Sequence, residues 1–309
     1  MKVKSKHLLG QLSDMDIRLL RVFKSVVDCG GMAAAELELN IGISTISRHV
    51  KDLEVRLGLT LCRRGRGGFS VTPEGQKVYE QTVALLAATD SFRTGVDEIH
   101  QRLRGDLSVA LFDKTASNPK AHVDRAIALF CDQAPDVNIN VYIAPINAIE
   151  QGLVNGQFQV GVLPGHGQSS SLDYTRLFGE RMQLYCGPGH RLFDATEQQP
   201  EWTDLRQHRF AGLGYHSPNM ALSLQRRIAR SATAFDQEGI ATLILSGRFI
   251  GFLPDHYAQT FVALKKMQAL NPASLQYDCD FFSAVRRSPQ PARTTGLFME
   301  CLRRVHENG

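Results

Sequence analysis

Five polar side chains between residues 44 and 51 have the spacing of one side of a helix: Ser44, Thr45, Ser47, Arg48 and Lys51. They are short hydroxyls and cations, with no carboxylate among them. Hydroxyls exchange hydrogen bonds with base edges, a guanidinium can bracket a purine edge, and an ammonium pairs with a phosphate. A second cationic group follows at Arg63, Arg64 and Arg66, where Gly65, Gly67 and Gly68 permit a turn. Both groups predict contact with double-stranded DNA.

The surrounding pattern supplies elements to position them. Ile46, Val50, Leu53 and Leu57 fall on the opposite helical face. A shorter helix carrying Ala34, Ala35, Leu37 and Leu39 precedes it, across a turn at Asn40-Ile41-Gly42. This is the pattern of a helix-turn-helix whose second helix enters the major groove. Upstream, Ser13 is placed to cap a helix over Asp14–Asp28 that buries Leu19, Leu20, Phe23, Val26 and Val27 and stops at Cys29-Gly30-Gly31. Downstream, strands near Leu59–Arg63 and Gly68–Val71 form a wing with the arginines at its tip. Thr72 and Pro73 open a long helix. Along it Val78, Thr82, Leu85, Thr89, Phe92, Val96, Ile99 and Leu103 alternate steps of four and three, a coiled-coil seam that predicts a homodimer.

Charge separates this head from the rest. Residues 1–75 hold 12 Lys/Arg against 8 Asp/Glu, whereas residues 76–309 hold 23 of each. The remainder alternates strands with helices: strands at Leu107–Phe112, Asn138–Ile143, Gln159–Leu163, within Leu177–Gly187, at Ile250–Leu253 and at Asp278–Val285; helices at Ala121–Gln133, Ala148–Asn155, Leu222–Ala232, Gln237–Ser246 and Thr294–His306. That alternation predicts an α/β body on a parallel sheet, with ligands taken where helices begin. Asn118, Asn147, Ser217 and Asp236 stand at expected helix starts and would border a polar cleft.

Other chemistries find little support. The chain has no G-x-S-x-G, no phosphate-binding loop and no H-E-x-x-H, and His190, His208 and His216 lack metal-ligand spacing. No cofactor or metal is expected. The six scattered cysteines form no C-x-x-C pair, and no apolar run is long enough to span a bilayer, so a cytoplasmic protein without membrane contact is expected. Two readings stay open beside a DNA-binding regulator: an α/β enzyme with a DNA-binding head, and a regulator that senses redox state through cysteine.

The chain resembles the LysR-type transcriptional regulators over its whole length, most closely in residues 13–75. In the register of that family's DNA-binding pattern stand Gly30, Ala34, Ala35, Leu39, Asn40, Ser47-Arg48, Leu53-Glu54, Leu57-Gly58, Leu61, Arg64 and Thr72 through Gly75. Gly42-Ile43 replaces a common Ser-Gln, and Cys62 a Phe. Looser landmarks follow at Phe130 with Pro135-Asp136-Val137, at Gly156–Val162 with Gln159 for Asp, at Gly189-His190 with Arg191 for Pro, and at Ile240–Pro254. The resemblance implies a winged helix-turn-helix over residues 1–73 and a linker and dimerisation helix over 74–104. It implies a periplasmic-binding-protein-like effector domain over 105–309, of two α/β subdomains (about 105–165 with 275–309, and about 166–274). It implies effector contacts at Thr115, Ser117, Asn118, Ile146, Asn147, Leu163, His216, Phe235 and Asp236. The implied function is sequence-specific regulation of transcription, with promoter contacts modulated by a small-molecule effector. The implied partners are operator DNA, the effector and further copies of the chain, as a dimer or tetramer, with RNA polymerase left open.

Overall fold

The computed structural model describes residues 11–65, 68–99, 103–165, 167, 169–194, 200–288 and 290–307. The chain divides into two compact units between Arg93 and Thr94.

In the first unit, α1 (Asp14–Asp28) opens with a reciprocal cap: the Asp16 amide donates to Ser13 Oγ, and the Ser13 amide donates to Asp16 Oδ2. Helix α2 (Met32–Leu39) ends at Asn40 in the left-handed conformation, and α3 (Ile43–Leu57) ends at Gly58 in the same conformation. Phe23, Val26, Ile46, Val50, Leu53 and Leu61 close the core. The wing pairs β1 (Cys62–Gly65) antiparallel with β2 (Gly68–Val71). Strand β1 begins three residues later than the sequence predicts. Leu61 is fully buried and its amide donates to Glu54 Oε1, which delays pairing with the second strand.

Helix α4 (Pro73–Ile99) begins with the Gly75 amide donating to Thr72 Oγ1, the expected cap. The single coiled-coil seam needs revision. Val78 and Leu85 pack on the head's own core, and Thr82 is buried. The Thr82 and Thr89 hydroxyls donate back to the carbonyls of Val78 and Leu85. Only towards the far end does the stripe open, with Phe92 73% and Val96 38% exposed.

The second unit is organised by one mixed sheet. Its order is β4 (Val137–Ile143), β3 (Gly105–Leu111), β5 (Val160–Pro164), β11 (Gln276–Arg286), β6 (Leu172–Cys186), β9 (Ile250–Pro254), β7 (Phe210–Leu213) and β8 (Arg230–Ala234). A short β10 (Gln268–Ala269) pairs with β6. The expectation of a parallel sheet holds only at the two ends, where β4-β3-β5 and β9-β7-β8 run parallel. The long strands β6 and β11 join those ends antiparallel to their neighbours. These two neighbours are far apart in sequence, with β7 to β10 between them, so no local pattern sets their relative direction. Helices α5 (Val123–Gln133) and α6 (Ile146–Asn155) flank the first end; α7 (Pro218–Gln225), α8 (Gln237–Leu245) and α9 (Asp255–Ala263) flank the second. Helix α10 (Arg293–Glu307) packs back against α5 through Phe298 and Phe130, edge to face.

Other expectations shift locally. The helix expected over Leu222–Ala232 starts at Pro218 and stops at Gln225; Arg227 turns left-handed, and the chain then pairs as β8. Neither Asn118 nor Asn147 caps a helix. Asn118 Oδ1 accepts from the Lys120 amide within a turn, and α6 begins after Pro145. Ser217 and Asp236 do cap α7 and α8, accepting from the amides of Met220 and Gly239.

Candidate functional site

In the head, α3 buries Ile46, Val50 and Leu53, which turns Ser44, Arg48 and Lys51 to solvent, with Thr45 and Ser47 half-buried at the edge. No acidic residue of its own occupies its first turn, but Glu36 of α2 reaches it, its Oε1 accepting from the Ile43 amide at 3.3 Å. Further along, Asp52 is exposed and Glu54 is committed. Glu54 receives the Leu61 amide at 2.8 Å and the Cys62 amide at 3.3 Å. Arg56 turns inward and pairs with the buried Asp16, its Nη2 lying 2.9 Å from Oδ2. That guanidinium, then Ser13, hold the Asp16 carboxyl down at about 2. Arg63 is exposed on β1. Arg66 and the side chain of Arg64 lie outside the described residues.

In the second unit, the functional geometry gathers where β6 and β11 pass between the two ends of the sheet. Glu180, midway along β6, is buried, and its Oε2 lies 2.9 Å from His256 Nε2 on α9. His256 Nδ1 lies 3.0 Å from Ser117 Oγ. Because the Ser117 hydroxyl donates to the Lys114 carbonyl, it accepts from Nδ1–H, and the other imidazole nitrogen faces Glu180. Burial pushes the Glu180 carboxyl upward; the facing His256 opposes that. Two more ties cross between the ends. Asp113 Oδ2 accepts from the Gln237 amide at 2.8 Å, and Lys114 Nζ meets Glu238 Oε2 at 2.8 Å while lying over the Tyr257 ring.

Behind these ties is a cavity of about 20 Å³, walled by Phe112, Ile146, Ser217, Asn219, Gln237 and Tyr277 among others. It shares Pro164, Pro218 and Cys279 with a hollow of about 500 Å³ whose lining includes Leu163, Tyr174, Asp278, Asp280 and Phe282. Among the described residues, six buried side-chain polar atoms lack a hydrogen-bond partner, and four belong to this region. Asn219 Oδ1 and Gln237 Oε1 are on cavity-lining residues; Asn118 Nδ2 belongs to a neighbour of Glu180, and Tyr215 Oη to a neighbour of Tyr277. A buried unpaired polar atom is costly, and four of them gather around this cavity.

The residues expected to bind an effector divide around this region. Ile146 is buried at the cavity, Asn118 is buried beside Glu180, and Leu163 lines the larger hollow. Ser117 holds His256 across the cleft. Thr115 is buried with its hydroxyl committed to the Phe112 carbonyl. Asp236 is occupied in capping α8. Asn147, His216 and Phe235 are exposed, and the Phe235 ring lies over Gly214. The sequence reading passed over Glu180, Tyr215, Asn219, Gln237, His256 and Tyr277. Asn219 and Gln237 follow the recognised caps Ser217 and Asp236, so extending each cap by a turn would have found them. Glu180 shares its strand with Arg176, Arg181 and Gln183, so nothing in the sequence singles it out.

Cysteine chemistry finds no focus here. Its hydrogen bond to Glu38 raises the Cys29 thiol to about 11, and burial raises Cys186 to about 12 and pushes Cys279 and Cys301 upward. Raised thiols are the reverse of what a thiolate sensor requires. Among the described residues, no group of three or more His, Cys, Asp or Glu is arranged to hold a metal ion, and no helix is long and apolar enough to cross a membrane.

Two family models match the chain: the LysR substrate binding domain over residues 100–307, and the bacterial regulatory helix-turn-helix protein of the lysR family over residues 17–76. The chain belongs to the LysR family of transcriptional regulators. It is 40% identical over 294 residues to the HTH-type transcriptional activator BauR of Pseudomonas aeruginosa, covering 95% of this chain and 96% of that protein. The fold matches the crystal structure of CbnR, a LysR family transcriptional regulator, with a TM-score of 0.62 at 20% identity over 94% of this chain and 99% of that one. Full-length CbnR complexed with its target DNA gives a TM-score of 0.63 at 18% identity, over the same shares of the two chains. As a LysR-family regulator, the protein has an N-terminal helix-turn-helix DNA-binding domain and a C-terminal effector-binding domain.

Proposed function

We propose that this regulator reads operator DNA with Ser44, Thr45, Ser47 and Arg48 at base edges. Lys51 and the wing residues Arg63, Arg64 and Arg66 hold the phosphates. The observation that carries this reading is the solvent face of α3, which offers the hydroxyl of Ser44 and the cations of Arg48 and Lys51. Two copies of the chain, paired through the open end of α4, present two such helices to paired half-sites in the cytoplasm. A small molecule binds in the cleft beside Glu180 and favours one arrangement of the dimer or tetramer, which changes promoter contacts. Activation is the expected direction, as for the activator BauR.

Binding to DNA selected from a random-sequence pool tests the base-reading part. Arg48→Ala is expected to lose about 1–3 kcal/mol on the selected sequence and less on random DNA, whereas Lys51→Ala weakens both alike. Equal losses for Arg48→Ala on the two DNAs would remove the base-reading role.

A further inference from the structure

The charged groups on the cleft walls are carboxylates, each already facing a basic partner. The described residues lining the small cavity and the adjoining hollow include three carboxylates, Glu180, Asp278 and Asp280, and no Lys, Arg or His. The nearby cations are already engaged. Lys114 is held by Asp113 and Glu238, and Arg176 and Arg181 by Asp280 and Asp278. Two amides in the first turn of α8, a natural seat for an anion, are taken by side-chain carboxylates: Asp113 holds that of Gln237, and Asp236 that of Gly239. The cleft therefore offers an incoming carboxylate or phosphate no free cation among the described residues.

The unpaired polar atoms on residues that line the small cavity are acceptors. Asn219 Oδ1 and Gln237 Oε1 are unpaired oxygens on residues 4% and 2% exposed, and both residues line the cavity with Glu180. A cavity of about 20 Å³ admits one group the size of a water molecule. A primary ammonium has that size and carries three donors. Asn219, Gln237 and Glu180 together supply three acceptors, one of them a carboxylate, which is what a buried ammonium requires. The adjoining hollow of about 500 Å³ has the volume to hold the rest of a small metabolite.

We propose that the effector is a primary ammonium compound, with its charged head in the small cavity against Asn219, Gln237 and Glu180 and its body in the adjoining hollow. This rests on the effector-cleft reading above and names the ligand class for that site. Head-group capture competes with the present closed arrangement, because the same Glu180 also ties β6 to His256 and, through it, to Ser117. Occupancy is thereby linked to the separation of the two ends of the sheet.

The test uses the full chain, with thermal shift and calorimetric titration by propylammonium, propionamide and propionate at constant ionic strength. Propylammonium is expected to raise the melting temperature in a dose-dependent way, and the other two are not. Glu180→Gln should weaken propylammonium binding about tenfold or more, as loss of a charged hydrogen bond would. Gln237→Glu, which adds a second carboxylate, should tighten it, so a folding defect in either variant cannot mimic the whole pattern. Propionate binding as well as propylammonium, or no binding by any of the three to folded protein, would overturn the ammonium assignment. Propionate binding that disappears in Asn219→Trp, which fills the cavity, would still leave the effector-cleft reading standing. Propylammonium binding that persists in Asn219→Trp would place the ligand elsewhere and overturn both.

Discussion

Asp16 and Arg56 lie forty positions apart, yet they join the first helix of the head to the end of the recognition helix. Asp16 is buried, and the guanidinium with the Ser13 hydroxyl and amide lowers its carboxyl from 3.8 to about 2. A carboxyl depressed on folding stabilises the native state above its unfolded value, and that contribution is lost as pH falls from about 4 towards 2. Discounted for the half-exposed Arg56, it amounts to roughly 1–2 kcal/mol. Asp16→Asn is expected to lower the melting temperature at pH 7, with the gap to the unaltered protein closing towards pH 2. A gap that stays constant across that range would show that the residue acts through packing and not charge.

At the scale of the element, the start of α4 is pressed against the entrance to the wing. Thr72 Oγ1 donates to the Thr60 carbonyl at 2.7 Å while accepting from the Gly75 amide at 2.9 Å. A Cβ on Gly75 would fall 2.1 Å from the Leu61 carbonyl oxygen, so backbone and not a pliant side chain bars a larger residue. Alanine is the better helix former by about 1 kcal/mol. Overpacking against a fixed carbonyl outweighs that, and Gly75→Ala should destabilise the head by about 1–3 kcal/mol. Hydrogen exchange provides the check: protection should fall across the wing and the first turns of α4, while the sheet of the second unit is unchanged. Unaltered exchange in the wing would contradict the close approach.

For the whole molecule, the deciding feature is an apolar stripe that changes partner along one helix. Val78 and Leu85 serve the head's own core, whereas Phe92 and Val96 remain open. If the open stretch is the seam between two copies, replacing both Phe92 and Val96 by Asp should shift the protein to monomer in sedimentation. It should also weaken binding to a two-half-site operator about a hundredfold, because the second recognition helix loses its tether. A variant that sediments unchanged would move the dimer contact to another surface. The same scale governs response to effector, since a ligand changes promoter contacts only through unequal affinity for two arrangements of the assembly.

The sequence by itself determined the head almost completely. Its helices, its turn at Asn40, its cap at Ser13 and the exposed face of α3 follow from local periodicity and short-range capping, with i to i+3 and i+4 relations carrying the information. It determined the alternation of strands and helices in the body as well, and through Ser217 and Asp236 it pointed to two edges of the cleft. Only the tertiary structure decided the mixed sheet, because its central antiparallel neighbours β6 and β11 lie far apart in sequence and local periodicity does not set their pairing. The division of the α4 stripe was also beyond sequence, because one periodic pattern suits two different partners. The cleft chemistry is the clearest case. Glu180, Asn219, Gln237 and His256 come from four separate elements, and only folding brings the Glu180–His256 pair beside the unpaired oxygens of Asn219 and Gln237.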